Sequence, residues 1–157
     1  MRGQLISTIK NHRVDIFGGD LSYGRINDPL LILQQNNIHY QPATQNYQDA
    51  CGIYQSSRIN LNISSLQFDT AVNNRVFDVV MAGGFILTDA RDELTELIPL
   101  MQEVSFKTPE ELSEKISYYS NIENEYRYLE LKHEIHSEAK KAFNYQSLIE
   151  KIFKNLN

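Results

Sequence analysis

The chain has 157 residues with 15 basic and 20 acidic side chains, a formal charge of -5, and 41% of its residues are hydrophobic. That is enough for one ordinary domain with a core, which excludes wholesale disorder, and too short for two large domains. The single cysteine, Cys51, excludes an internal disulfide; no apolar run approaches the roughly 20 residues of a membrane span, and the start lacks a signal peptide's apolar stretch, so a cytoplasmic location is expected.

Four short β-branched runs read as strands: Val14-Asp15-Ile16-Phe17, Ile38-His39-Tyr40, the run from Arg58 to Ile63, and Phe85-Ile86-Leu87-Thr88. A weaker fifth is Glu103-Val104-Ser105-Phe106. Apolar residues at helical spacing separate them: Leu30, Leu31 and Leu33; Tyr47, Ala50, Cys51 and Tyr54; Val76, Phe77, Val79, Val80 and Met81; Leu94, Leu97, Ile98 and Met101. Strict alternation of strand and helix predicts an α/β fold, a Rossmann-like parallel sheet with helices on both faces.

After the fifth strand the pattern is helical. Thr108 reads as an N-cap with Pro109 at the first helical position and Glu111 closing a capping box, followed by the stripe Leu112, Ile116, Tyr119. Asn121 is placed to cap a helix carrying Tyr126, Leu129 and Ile135, and Asn144 a last one with Leu148, Ile149, Ile152 and Phe153. Glu123, Glu125, Arg127, Glu130, Lys132 and Glu134 read as a solvated face. With no linker or repeat, residues 1–157 read as a single domain with a helical tail from about residue 109.

Charge divides unevenly. Residues 1–75 hold six basic and five acidic side chains, residues 76–157 nine and fifteen. An acidic second half argues against a nucleic-acid surface, which needs clustered lysine and arginine.

In an open parallel sheet ligands bind at the carboxyl ends of strands. Three loops fall there. Gly18-Gly19-Asp20 follows the first strand and permits close backbone approach, or is simply a tight turn. The third strand leads through a polar stretch to a helix start at which Asn73 or Asn74 reads as the N-cap and Arg75 stands in the first turn. A cation in a first turn opposes the helix dipole, which makes sense if a phosphate binds there; a salt bridge from Arg75 to Asp69 or Asp92 is the other reading. Asp78 shares a helix face with Arg75, as partner of a nucleotide diphosphate site or of an intrahelical ion pair. The fourth strand leads through Thr88 and Asp89, either of which can cap, to Asp92 and Glu93, ordinary helix-start chemistry. The histidines (His12, His39, His133, His136) lack zinc spacing with one another and with Cys51, so no metal site is expected. No phosphate loop of the Walker type, nucleophile elbow or dinucleotide fingerprint occurs.

Tyr54-Gln55-Ser56-Ser57-Arg58-Ile59-Asn60-Leu61-Asn62-Ile63 and the run Arg75-Val76-Phe77-Asp78-Val79-Val80-Met81-Ala82-Gly83-Gly84-Phe85-Ile86-Leu87-Thr88, with Asp92-Glu93-Leu94 and the segment from Glu110 to Tyr119, carry a resemblance. Over residues 14–153 the chain resembles the C-terminal domain of CgeB-like glycosyltransferases of the GT-B superfamily. The resemblance implies a donor-binding domain for a nucleotide sugar, UDP-sugar or similar, with no obligatory metal or other cofactor. It implies that Asp78 holds the ribose hydroxyls, that Arg75, the amides of Asn73 and Asn74 and also Arg58 face the diphosphate, and that the loop from Tyr40 receives the base. Gly18 and Gly19 would line the cleft toward an N-terminal acceptor domain, and Glu93 would reach the sugar. Arg58 reads equally as a surface residue flanking its strand.

Two departures stand out. Relatives with paired glutamates eight positions apart are matched by Thr70 and Asp78, which removes the basis for a retaining mechanism of that type. A histidine motif near the end of many CgeB-like chains is replaced by Phe143-Asn144-Tyr145. GT-B enzymes pair two such domains, so the chain is read as one half of an enzyme, expected to bind donor without efficient transfer, with the catalytic base on the other half. The competing expectation is a catalytically degenerate domain serving as a protein-interaction module, for which Thr70 speaks. A phosphoryl-receiver domain is matched only loosely by Asp20 and Lys107.

Overall fold

A computed structural model describes residues 5, 6, 8–18, 35–63 and 72–142. Gly19, Asp20, the helix expected at Leu30, Leu31 and Leu33, the polar loop with Asp69 and Thr70, and the helix expected from Asn144 lie outside the described residues. The chain divides into two compact units, Met1–Ala50 and Cys51–Asn157.

In the first unit β1 (Val14–Phe17) and β2 (Ile38–Gln41) pair in parallel, Val14 opposite Ile38 and Phe17 opposite Gln41. The amide of Asn37 donates to the carbonyls of Ile9 at 2.5 Å and His12 at 2.9 Å, tying the approach to β1 onto the turn before β2. Gly18 takes φ 96°, left-handed backbone that glycine adopts without a Cβ clash, and its N–H donates to Gln41 O at 3.3 Å. Helix α1 (Tyr47–Ser56), whose residues from Cys51 onward belong to the second unit, is started by Asn46, whose Oδ1 accepts from the Asp49 N–H at 2.8 Å.

In the second unit β3 (Asn60–Asn62), β4 (Ile86–Asp89) and β5 (Ser105–Phe106) form a parallel sheet in the order β3-β4-β5. Asn60 faces Ile86, and Thr88 faces both Asn62 and Ser105. Ile86, Leu87 and Thr88 are all buried; successive strand residues point to opposite faces, so this central strand is covered on both. The helices are α2 (Asn74–Met81), α3 (Asp92–Leu97), α4 (Met101–Val104), α5 (Pro109–Ser120), a 3₁₀ turn (Ile122–Asn124) and α6 (Glu125–Ala142). The architecture is α/β with parallel strands, consistent with a Rossmann-like half fold carrying a C-terminal helix.

Where observation departs from expectation, the causes are local. The helix expected through Leu94 to Met101 breaks into α3 and α4 because Pro99 drives the preceding Ile98 out of the helical region, to φ −136° and ψ 92°. Val104 accordingly ends a helix and only Ser105–Phe106 remains as strand. Thr108 caps α5 as expected, accepting from the Glu111 N–H at 3.2 Å, but the Glu111 carboxylate reaches past Thr108 to the Lys107 N–H at 2.7 Å. The buried face of α6 is Tyr128, Leu131, Ile135 and Ala139. Tyr126 and Leu129 point outward, at 79% and 52% exposure. The expected solvated face is instead largely paired: Arg127 bonds Glu103, Glu130 and Glu134, and Glu125 bonds Arg58.

Helix α2 ends in a turn that only glycines satisfy. The Gly83 N–H donates to Val80 O at 2.9 Å and the Gly84 N–H to Val79 O at 2.8 Å, the Schellman pattern, with Gly83 at φ 79°. A Cβ on Gly84 would stand 2.6 Å from Tyr54 O and 2.9 Å from Val79 Cγ1. The chain passes straight from this turn into β4, so the C-terminus of α2 lies at the amino edge of the sheet and its N-terminus points to the carboxyl edge.

Candidate functional site

Asn73 is the N-cap of α2: in extended conformation (φ −70°, ψ 132°), its Oδ1 accepts from the Arg75 N–H at 3.0 Å. The cap leaves Asn73, Asn74 and Arg75 exposed at the start of the helix. Of the partners expected for Arg75, Asp69 is outside the described residues, and neither Asp92 nor Asp78 pairs with it; among the described residues its guanidinium makes no ion pair. A cation in a first turn opposes the helix dipole, and among the described residues no carboxylate compensates it. Asp78 is half-buried one turn further on.

The next loop along this edge follows β4. Thr88 does not cap a helix: its hydroxyl is buried and accepts from Asn62 Nδ2 at 3.0 Å, bridging β3 and β4 near their carboxyl ends. Asp89 is occupied too, its Oδ2 taking Arg91 Nε at 3.0 Å and Nη2 at 2.8 Å, with both side chains about four-fifths buried. Arg91 therefore stands at the N-cap position of α3 with no side-chain cap, and Asp92 and Glu93 follow, exposed, in the first turn. These two polar pairs escaped sequence reasoning; the asparagines of β3, Asn60 and Asn62, were the available signal for the first.

Arg58 sits elsewhere. It precedes β3, at the amino edge, opposite to the start of α2. Its Nε donates to Tyr119 O at 2.8 Å, its Nη1 bonds the Glu125 carboxylate, and its guanidinium carbon lies 3.8 Å from the centre of the Tyr128 ring. The Tyr128 hydroxyl donates back to Arg58 O at 2.8 Å. This arginine clasps α5 and α6 to the sheet, and the structure removes it from the set around Arg75.

Of the other expected residues, Gly18 directly follows β1 and Tyr40 lies half-buried on β2, both in the first unit, while Gly19 is outside the described residues. In the second unit Asn73, Asn74, Arg75 and Glu93 stand at helix starts on the carboxyl edge, with Asp78 one turn behind. Among the described residues no group of three or more histidine, cysteine or carboxylate side chains is placed to hold a metal. His133 is exposed, while His136 bonds Val80 O at 2.7 Å.

Residues 2–154 match the model of a family described as glycosyl transferase-like. The chain belongs to that family. The match spans both units and makes this a glycosyltransferase-family chain. No curated protein and no solved structure matches the chain. Among the described residues no helix is long and apolar enough to cross a membrane.

Proposed function

We propose that this glycosyl transferase-like chain is the donor-binding domain of a CgeB-like, GT-B-type enzyme, holding a nucleotide-diphosphate sugar such as a UDP-sugar. The observation that carries the reading is Arg75: an exposed guanidinium at the capped start of α2, without an ion pair among the described residues, at the carboxyl edge of a parallel sheet. A diphosphate there meets the positive end of the helix, the backbone N–H groups of Asn73 and Asn74, and the arginine fork. Asp78 takes the ribose hydroxyls and Glu93 the sugar. An acceptor-binding domain supplies the catalytic base. Catalysis then consists of orienting the donor and stabilising the leaving diphosphate with fixed positive groups, with no obligatory metal.

Calorimetric titration with UDP tests it. Arg75→Ala weakens binding by about 1–3 kcal/mol, the range for a hydrogen bond to a charged group, and Arg58→Gln leaves affinity unchanged. Absence of binding by UDP, GDP, CDP and ADP sugars alike would sink the proposal.

One observation favours a second reading, the degenerate domain acting as an interaction module. Ile122, Tyr126 and Leu129 recur at helical spacing and are 76%, 79% and 52% exposed. Association in light scattering that Tyr126→Ser abolishes, with no nucleotide binding, would favour it.

A further inference from the structure

We infer that His136 is a positioning residue: from α6 it fixes the register of α2, and through α2 the placement of Arg75 and Asp78. The consequence for a ligand rests on the donor-site reading; the mechanical claim does not.

Helix α2 has eight residues, too few to be stable alone, so its position is set by what it packs against. One side carries Val76, Val79 and Val80, all at most 2% exposed, and α6, with Leu131, Ile135 and Ala139 buried, packs on it. Contacts among valine, leucine and alanine methyl groups are non-directional. They hold the helices together but discriminate weakly between neighbouring axial positions.

A directional contact between the two helices is the bond from His136 to Val80 O at 2.7 Å. A carbonyl oxygen only accepts, so Nδ1 carries the hydrogen, and a second proton on Nε2 leaves that donor in place. Val80 O belongs to the last turn of α2, where carbonyls lack helical partners, and it also accepts from the Gly83 N–H at 2.9 Å. At the other end of the same short rod stand Arg75 and, one turn in, Asp78. Gln55 Nε2 holds the neighbouring Ala82 O at 2.9 Å, and the Gly83-Gly84 turn joins α2 to β4. These two anchors tie α2 to α1 and to the sheet. His136 supplies the tie to the helical tail.

The test uses the full chain with His136→Ala and His136→Asn. Asparagine places its Nδ2 donor close to where histidine has Nδ1. Amide hydrogen exchange is followed in the segment 74–83 and, as internal reference, in 86–106. In His136→Ala, exchange across 74–83 accelerates about fivefold or more relative to the reference, as loss of one hydrogen bond of ordinary strength implies, and His136→Asn restores at least half of the protection. Unchanged exchange in His136→Ala overturns the inference. So does equal acceleration in both variants or in both segments, which marks general loosening. UDP titration is the second arm: binding by the wild type that weakens in His136→Ala and recovers in His136→Asn extends the effect to the site, and unaltered affinity in His136→Ala overturns it there. A wild type that binds no nucleotide defeats the donor reading, while the exchange result still decides the role of His136.

Discussion

At the amino edge of the β3–β5 sheet, Gly84 has Tyr54 O on one side and Val79 on the other, so a methyl group there displaces backbone rather than a flexible side chain. Gly84→Ala is expected to lower stability by about 1–3 kcal/mol through overpacking. Gly83→Ala meets open space and loses only the left-handed allowance, about 1–2 kcal/mol. Urea midpoints of the two variants give the order. Arg58 shows why residue-scale roles were unevenly legible. Asn73 was readable as a cap because its partner is two residues away. The partners of Arg58 lie 61 and 67 residues down the chain, and nothing near it in sequence points to them. Arg58→Ala should lower stability by about 1–3 kcal/mol, the range for bonds to a charged group, without altering nucleotide affinity.

At the scale of elements, alternating strand and helix was readable from apolar spacing, and helix starts from Thr108 and Asn73, because both signals are local. The face of α6 was not. Tyr126 and Leu129 share a helix side just as convincingly as Tyr128 and Leu131, and the choice is made by what lies across from them: Phe85, whose ring centre is 4.7 Å from that of Tyr128. The assignment has a direct measure. Leu131→Ala, at a position with no exposure, should cost about 2–5 kcal/mol. Leu129→Ala, half exposed, should stay within about 0.5 kcal/mol of wild type. Equal effects in thermal or urea unfolding would mean that α6 packs on the other face.

On the scale of the whole molecule, the carboxyl edge follows from strand direction, and so is legible in the sequence. The polar pairs and the clasp at the amino edge depend on tertiary contact, and so are not. That clasp closes over an aromatic cluster in which the Phe85 ring packs, tilted, against both Tyr119 and Tyr128 with centres 4.7 Å apart. Burial, reinforced by the Glu103 carboxylate, pushes the Tyr119 hydroxyl from 10.0 up to about 12. Burial raises Tyr128 as well, partly opposed by the charge of Arg58. Below the ordinary tyrosine value both states keep the proton and stability does not depend on these groups. Above it the unfolded chain releases protons that the folded chain retains, so stability falls as pH rises from 10 toward 12 and flattens once Tyr119 ionises in the fold. Urea unfolding across that window should show the decline, and Tyr119→Phe should make it shallower while leaving stability near neutral pH little changed. A decline of the same slope in Tyr119→Phe would place the alkaline sensitivity outside the cluster, and with it the view that this aromatic seam holds the helical tail to the sheet.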